Sequence, residues 1–283
     1  MPLGPKAPLA CAARRLFNHP VAGGELHAVK KIFVAGAAAI LLTGATALAQ
    51  APADPSLGPP PTAFTGYFKA SPLDGKAILG PPPAPDSAQG RADRADFEQT
   101  RALVGTARWK VAIQDNDLWR GGALNRFSCA LGVEVDEKQT PRLWKILHKL
   151  ELDVRLIGSP AKQFFNRDRP LIGNDLPICV PREDWMKTNA SYPSGHAMTA
   201  WSWGLIMAEA KPDKATEVLA LARDSGDSRA ICGVHYRSDV EAGRVLGAAM
   251  VARLHDVPEF VADLKRAKKE LAKAKRGPAA CAA

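Results

Sequence analysis

Apolar residues recur at helical spacing along the chain from about residue 91 onward. The segment 96–115 carries one such stripe, and a second begins at Pro141, a residue that suits the first turn of a helix. Ser159 and Pro160 are typical of a helix start, which predicts a separate helix reaching Asp168. Later stripes predict helices over 195–210, 212–223, 238–255 and 258–276.

Strand patterns do not accompany these helices. No stretch of useful length alternates between apolar and polar positions, and no internal repeat is present. The pattern therefore predicts an all-α fold, a single-domain helical bundle over residues 91–276. A segment of this length can bury a substantial core.

The segments that flank the helical region differ from it in composition. Residues 50–90 hold ten prolines, including runs of three at 59–61 and 81–83. This predicts an irregular or polyproline arm rather than a domain. Residues 277–283 are expected to form a short tail.

The first 49 residues are predicted to be an N-terminal extension that ends in a cleavable signal peptide. Lys30 and Lys31 precede an apolar run over 32–42, and Ala-Leu-Ala at 47–49 is a small-residue cleavage pattern. Cleavage would leave Gln50 as the new N-terminus. The alternative is a retained anchor, but the run is shorter than the roughly 20 residues of a membrane span.

Export would place the protein in the periplasm or outside the cell. No apolar run of 18 or more residues follows the signal, so the mature form is not expected to span a membrane. Export also implies an oxidising compartment, in which cysteines can pair. Four cysteines follow the cleavage site, and the sequence leaves all three of their pairings open: Cys129, Cys179, Cys232 and Cys281.

The formal net charge of +9 is concentrated at the two ends of the chain. Residues 1–49 carry +4 and residues 263–276 carry +5, so the remainder is close to neutral. A body that coats nucleic acid is therefore not expected. The basic stretch near the C-terminus is predicted to be a solvated amphipathic helix packed on the body, with a membrane contact as the alternative.

Three segments carry residues suited to phosphate chemistry. In the first, Lys162 and Arg169 lie seven residues apart, which would put them on one helix face two turns apart. Such cations can bind opposite sides of one phosphate. In the second, Ser194 and Gly195 at a helix start offer a hydroxyl and free N–H groups to an anion, with His196 in the first turn.

The third segment pairs a histidine with a carboxylate. Asp239 lies four residues after His235, so on a helix start it could accept a hydrogen bond from one ring nitrogen and leave the other as a base or nucleophile. Arg229 adds a cation. Each segment alone also fits an ordinary structural role.

In their order and spacing, the three segments resemble the tripartite signature of the type 2 phosphatidic acid phosphatase and vanadium haloperoxidase superfamily. Lys-x6-Arg-Pro, Pro-Ser-Gly-His and Ser-Arg-x5-His-x3-Asp are separated by 22 and 31 residues. Over residues 80–275 the chain is similar to the bacterial class A non-specific acid phosphatases. Ala197, Val234 and Arg237 depart from the class pattern beside the site, which leaves the substrate preference open.

The resemblance implies a helical bundle of the acid phosphatase and haloperoxidase type, with covalent catalysis. His235, held by Asp239, would attack phosphorus, and His196 would protonate the leaving alcohol. The remaining site residues would bind the phosphate oxygens: Lys162, Arg169, Ser194, Gly195 and Arg229.

The resemblance also implies which partners and cofactors to expect. Neither a metal nor another cofactor is expected, and the pocket should bind phosphate or vanadate. Small phosphomonoesters are the expected substrates, with a mildly acidic optimum. Class A relatives suggest a homo-oligomer, which the apolar stripe at 260–274 would also allow.

Other functions stay open at this point. A vanadium-dependent haloperoxidase would use the same oxyanion pocket. A catalytically idle phosphate-binding protein of the cell envelope could be anchored by the basic tail. A lipid phosphate phosphatase is a further alternative, although that branch usually has several membrane spans.

Overall fold

The fold is described from a computed structural model, which places residues 55–58, 63–119 and 121–275. These residues belong to one compact unit, and they contain helices and no strands, so the all-α prediction is confirmed for them. The predicted signal peptide, its cleavage site, Cys281 and the tail lie outside the described residues. The helices are α1 (Gly75–Leu79), α2 (Ala88–Gln99), α3 (Ala107–Gln114), α4 (Ala123–Leu131), α5 (Pro141–Phe165), α6 (Trp185–Thr188), α7 (Gly195–Ala210), α8 (Ala215–Cys232), α9 (Arg237–Leu254) and α10 (Pro258–Leu271).

Helix α7 lies at the centre of the bundle. It is apolar on nearly all sides, as expected of a helix surrounded by others, and Trp203 on it is fully buried. Glycines let its neighbours come close. A Cβ on Gly204 would lie 2.4 Å from Ala222 of α8, and a Cβ on Gly243 of α9 would lie 2.5 Å from the backbone oxygen of Ser194. These glycines therefore allow α8 and α9 to pack closely against α7.

Helix α5 corrects the prediction of two helices in this region. It runs without a break from Pro141 to Phe165, so Ser159 and Pro160 do not start a new helix. A proline inside a helix costs about 3 kcal/mol, because it removes one N–H and crowds the preceding turn. Pro160 is exposed while Ile157 and Ala161 beside it are buried, so core packing of this stretch outweighs the proline.

The single helix predicted over 96–115 is also wrong, because it is interrupted between α2 and α3. Gly105 has a φ of +79°, which ends the helical path, and the Thr106 side chain accepts a hydrogen bond from the Trp109 N–H to cap α3. Helices α4 and α6 are not among those that the sequence pattern predicts.

Over its described residues, the proline-rich arm is irregular apart from a 3-10 turn at Pro55–Leu57, α1 and the first turn of α2. Two buried side chains of α5 hold the arm in place through hydrogen bonds to the backbone of the arm. Asp153 accepts from the N–H groups of Tyr67 and Phe68 at 3.0 and 3.1 Å. Arg155 donates to the carbonyl oxygens of Leu57 and Gly58, each at 3.0 Å. The arm thus packs against α5, the helix that carries Lys162.

Helix α10 packs on α5 through the apolar stripe that the sequence predicted, with Phe260, Leu264, Ala267 and Leu271 buried. The predicted amphipathic helix is therefore confirmed over residues 258–271. None of the helices within the described ranges combines the length and apolar character needed to cross a membrane.

A disulfide joins Cys179 to Cys232, which resolves one of the pairings that the sequence left open. It connects the loop after α5 to the last residue of α8, and Cys179 N–H also donates to the Cys232 carbonyl. The loop that follows the first segment is thereby fixed beside the third segment.

Candidate active site

The fold brings the three predicted segments together where α5, α7 and α9 meet. Lys162 lies in the last turn of α5, which ends because Asn166 adopts a left-handed conformation with a φ of 45°. Arg169 follows in an irregular stretch. The prediction that Lys162 and Arg169 share one helix face is therefore wrong, although both side chains are buried at the site.

The start of α7 has the predicted form. Ser194 is its N-cap residue and its Oγ accepts from the Ala197 N–H at 3.4 Å, while Gly195 and His196 form the first turn. Ser194 N–H donates to the backbone oxygen of Asp239 at 2.9 Å. This bond holds the second segment directly against the third.

His235 lies just before α9, and Asp239 lies in the first turn of that helix. The Nδ1 atom of His235 is 3.6 Å from Oδ2 of Asp239, longer than a hydrogen bond. The Ser191 hydroxyl is close to both groups, at 2.5 Å from Oδ2 and 3.3 Å from Nδ1. The predicted direct hydrogen bond between His235 and Asp239 is therefore wrong at this distance, and the two groups are bridged by Ser191, which sequence reasoning did not select.

The other ring nitrogen of His235 contacts a cation. Nη1 of Arg169 lies 3.3 Å from Nε2. A guanidinium group can only donate hydrogen bonds, so Nε2 must accept with its lone pair. Nδ1 then carries the proton toward Ser191 and Asp239. The donor and acceptor identities thus assign a neutral imidazole with its lone pair on Nε2.

Arg167 completes this arrangement and was missed by the sequence analysis. It donates to Oδ1 of Asp239 at 2.6 Å, to Asp93 of α2 at 2.9 Å and to the Ser238 hydroxyl at 2.7 Å. Burial alone would lower the pKa of Arg167, but the two carboxylates outweigh it and raise that pKa. Asp239 is therefore paired with a permanent cation through Oδ1, while its Oδ2 faces Ser191 and His235.

The predicted phosphate ligands are oriented by neutral oxygens. Lys162 Nζ donates to the Ala190 carbonyl at 3.0 Å. Arg169 donates to the carbonyl and the side-chain oxygen of Asn189 at 2.8 and 2.7 Å, and to the Val234 carbonyl at 2.9 Å. These bonds fix the direction of both side chains.

His196 and Arg229 meet at Asn116, in the turn between α3 and α4. His196 Nε2 is 3.0 Å from the Asn116 backbone oxygen, and Arg229 donates to the Asn116 side-chain oxygen at 3.0 Å. Both site residues are about 2% exposed. The sequence analysis did not select Asn116, because nothing in the local pattern ties residue 116 to residue 196 or 229.

A cavity of about 360 Å³ borders His196 and Arg229 and is here called the His196 cavity. His196, Arg229 and Val234 line its inner end, and Leu57 and Gly58 of the arm line another side. The rest of the lining mixes apolar side chains such as Trp119 and Met186 with the acidic residues Asp117 and Glu183. A void of about 10 Å³ borders Lys162 and Gly195, which is room for a single water.

No group of three or more His, Cys, Asp or Glu side chains that could hold a metal ion occurs within the part of the chain that the structure describes. The predicted site residues thus supply three cations, two histidines and one carboxylate, and Arg167 adds a fourth cation beside Asp239. Together they form a buried site that is suited to an oxyanion.

Comparisons with known proteins agree with this chemistry. A sequence profile of the PAP2 superfamily matches residues 152–261. An acid phosphatase of Zymomonas mobilis is 38% identical over 213 residues, which cover 75% of this chain and 79% of the relative. Non-specific acid phosphatases of Providencia stuartii and Salmonella typhimurium are 38% and 35% identical, over 74% and 70% of this chain and 86% and 80% of their own lengths.

Among solved structures, a transmembrane PAP2-type phosphatidylglycerolphosphate phosphatase from Bacillus subtilis aligns with a TM-score of 0.45 and 21% identity. The alignment covers 62% of this chain and 90% of that one.

Proposed function

This chain belongs to the PAP2 superfamily, among the non-specific acid phosphatases, and we propose that it hydrolyses phosphate monoesters through a phosphohistidine intermediate on His235. The observation that carries this mechanism is the bonding of the His235 ring. Its Nδ1 faces Ser191 and Asp239, and its Nε2 faces the Arg169 guanidinium at 3.3 Å. A neutral imidazole with a lone pair directed at a cationic site is suited to attack a phosphoryl group.

In the first step, the Nε2 lone pair of His235 forms a bond to phosphorus as the bond to the leaving oxygen breaks. Arg169 gives up its contact with Nε2 and donates to a phosphoryl oxygen instead. His196, protonated, transfers a proton to the leaving oxygen, so the alcohol departs neutral. Asp239 and Ser191 stabilise the positive charge that develops on the His235 ring.

In the second step, a water molecule attacks the phosphohistidine. His196, now neutral, takes a proton from that water, and the bond between Nε2 and phosphorus breaks. Phosphate leaves and the starting protonation states return. Through both steps the charge on the phosphoryl oxygens is stabilised by Lys162, Arg169, Arg229, the Ser194 hydroxyl and the Gly195 N–H.

His196 would use its Nδ1 atom for this proton. A carbonyl oxygen only accepts hydrogen bonds, so Nε2, at 3.0 Å from the Asn116 oxygen, keeps its proton. Nδ1 is then the nitrogen that gains and loses a proton during turnover.

We also propose that the protein is exported. Lys30, Lys31 and the Ala-Leu-Ala pattern at 47–49 support a cleavable signal, and the Cys179–Cys232 disulfide is of the kind that persists in an oxidising compartment. The haloperoxidase and idle-binding alternatives are less well supported, because the curated relatives are phosphatases.

The first test is hydrolysis of p-nitrophenyl phosphate near pH 5.5 by the chain that begins at Gln50. Turnover is expected to persist in EDTA and to be inhibited by orthovanadate, which mimics the transferring phosphoryl group. Loss of turnover in EDTA that added metal restores would contradict the metal-free mechanism. Halide oxidation by the vanadate-loaded protein, without phosphatase turnover, would support the haloperoxidase instead.

A further inference from the structure

We propose that Asn116, which lies outside the three motif segments, is a positioning residue for this phosphatase reaction. The inference rests on the proposed function of His196 as the general acid and of Arg229 as a phosphate ligand. Asn116 lines the His196 cavity beside both residues and bonds to each of them, at 3.0 Å in both cases. It therefore fixes the acid and the cation relative to each other.

The identity of the bonded atoms follows from their chemistry. The Arg229 guanidinium has donors only, so the Asn116 atom that faces it must be the side-chain oxygen rather than the amide nitrogen. The Asn116 backbone oxygen accepts only, so it orients the His196 ring by its Nε2 proton. One residue thus sets the direction of the Arg229 charge through its side chain and the direction of the His196 ring through its backbone.

The residue before it anchors this turn to α8. Asp115 is 1% exposed, and its Oδ2 accepts from the Ser228 hydroxyl at 2.6 Å and from Arg126 at 2.5 Å. Ser228 directly precedes Arg229. Two adjacent residues of the turn therefore bind two adjacent residues of α8, which fixes the register of Asn116 against Arg229.

A neutral acceptor suits this position better than a carboxylate. An amide oxygen orients a guanidinium and does not cancel its charge, whereas a carboxylate would pair with it and reduce its attraction for a phosphoryl group. Asn116→Asp has almost the same shape and adds one negative charge beside Arg229. Asn116→Ala removes the acceptor and adds no charge.

The experiment compares both variants with the intact enzyme and with Gln114→Ala. Gln114 is the exposed last residue of α3, and its side chain donates to the Gly121 carbonyl and, among the described residues, makes no hydrogen bond to Arg229 or His196. The main measurement is the inhibition constant of orthovanadate, alongside kcat and KM for p-nitrophenyl phosphate. Inhibition constants and KM do not depend on the fraction of enzyme that is folded, so a partly unfolded variant can still be assessed.

Asn116→Asp is expected to weaken vanadate inhibition and to lower kcat/KM by about tenfold or more, and Asn116→Ala by a smaller factor. Gln114→Ala should match the intact enzyme. Vanadate constants for both Asn116 variants within twofold of the Gln114→Ala value would overturn the proposal. Failure of the proposed function is distinguishable, because it would appear as full turnover in His235→Ala whatever the Asn116 variants do.

Discussion

The imidazole of His235 is held by a donor on one side and acceptors on the other, and in the proposed mechanism this leaves Nε2 as the nitrogen that attacks phosphorus. Ser191 and Asp239 lie on the Nδ1 side and Arg169 on the Nε2 side. Arg167 shares the charge of Asp239 at 2.6 Å, so the carboxylate orients the ring while part of its charge is already paired. Hydrogen bonding thus favours the neutral form of this proposed nucleophile within a strongly charged site.

The motif residues could be found from sequence because their spacing is fixed by short local structures. Ser194, Gly195 and His196 form a cap and first turn, a pattern that is readable in any chain. Ser191, Arg167 and Asn116 could not be found in this way. Their roles come from contacts with residues 44 or more positions away, which only the packed helices create.

At the residue scale, His196→Ala is expected to slow alkyl phosphates much more than aryl phosphates. An alkoxide leaving group needs a proton, whereas p-nitrophenolate departs readily without one. The measurement is kcat for p-nitrophenyl phosphate and for glycerol 2-phosphate in variant and intact enzyme. Equal losses on the two substrates would show that His196 is not the general acid.

Helices carry the site because their ends, more than their faces, meet there. The last turn of α5, the first turn of α7, the end of α8 and the first turn of α9 each supply a functional side chain. The sequence predicted α7 and α9 to within about a residue, since caps and glycines mark them. The sequence pattern divided α5 at Pro160, because proline is locally a helix breaker. The burial of neighbouring side chains, which keeps this helix continuous, cannot be read from the local sequence.

A titratable group on α5 leads to a prediction at the element scale. His148 stacks between the rings of Trp119 and Phe64, and its burial lowers its pKa to about 4. The unfolded chain, with a pKa near 6.5, takes up this proton as the pH falls, and the folded chain does not until about pH 4. His148 therefore costs stability progressively between pH 6.5 and 4.

His148→Phe removes this proton and keeps the aromatic stack. The variant should lose less stability than the intact protein between pH 6.5 and 4.5, by about 1 kcal/mol once solvent access to the ring is allowed for. Denaturant unfolding at the two pH values measures this. An equal loss of stability in both proteins would show that folding does not lower the pKa of His148.

The arm provides a second prediction at this scale. Leu57 is 7% exposed and lines both the His196 cavity and the small void beside Lys162. Leu57→Gly removes that side chain, so the cavity should widen, at a cost in stability of about 2–5 kcal/mol. We expect kcat/KM for a nucleoside monophosphate to rise relative to that for phenyl phosphate.

A matched variant for this test is Val104→Gly, which alters an exposed apolar residue outside the lining of the cavity. It should leave the ratio of the two kcat/KM values unchanged. A ratio that is also unchanged in Leu57→Gly would mean that the arm does not restrict the leaving group.

For the molecule as a whole, the all-α class and the position of the site follow from patterning and motif order. The path of the loops does not, because loop positions depend on cross-links and buried ion pairs between distant segments. The disulfide between residues 179 and 232 is one such link, and it joins cysteines that are 53 positions apart in the sequence. The sequence contained both cysteines but no signal to choose this pairing.

Replacing both members of this disulfide by alanine should destabilise the protein by about 2–5 kcal/mol, because the unfolded chain loses a covalent constraint. Cys232 lies three residues before His235, so KM for p-nitrophenyl phosphate should rise as well. Denaturant unfolding and steady-state kinetics of the double variant test both effects. Unchanged stability would mean that the bond does not constrain this loop.

The measurement that tests the mechanism most directly is trapping of the phosphorylated enzyme. Intact protein is mixed with p-nitrophenyl phosphate, quenched in alkali within milliseconds to keep a phosphoramidate intact, and digested for mass spectrometry. The mechanism predicts a phosphoryl group on His235, increased in His196→Ala with this substrate because the second step needs His196 as the base. Full turnover in His235→Ala, or phosphate found on another side chain, would contradict it.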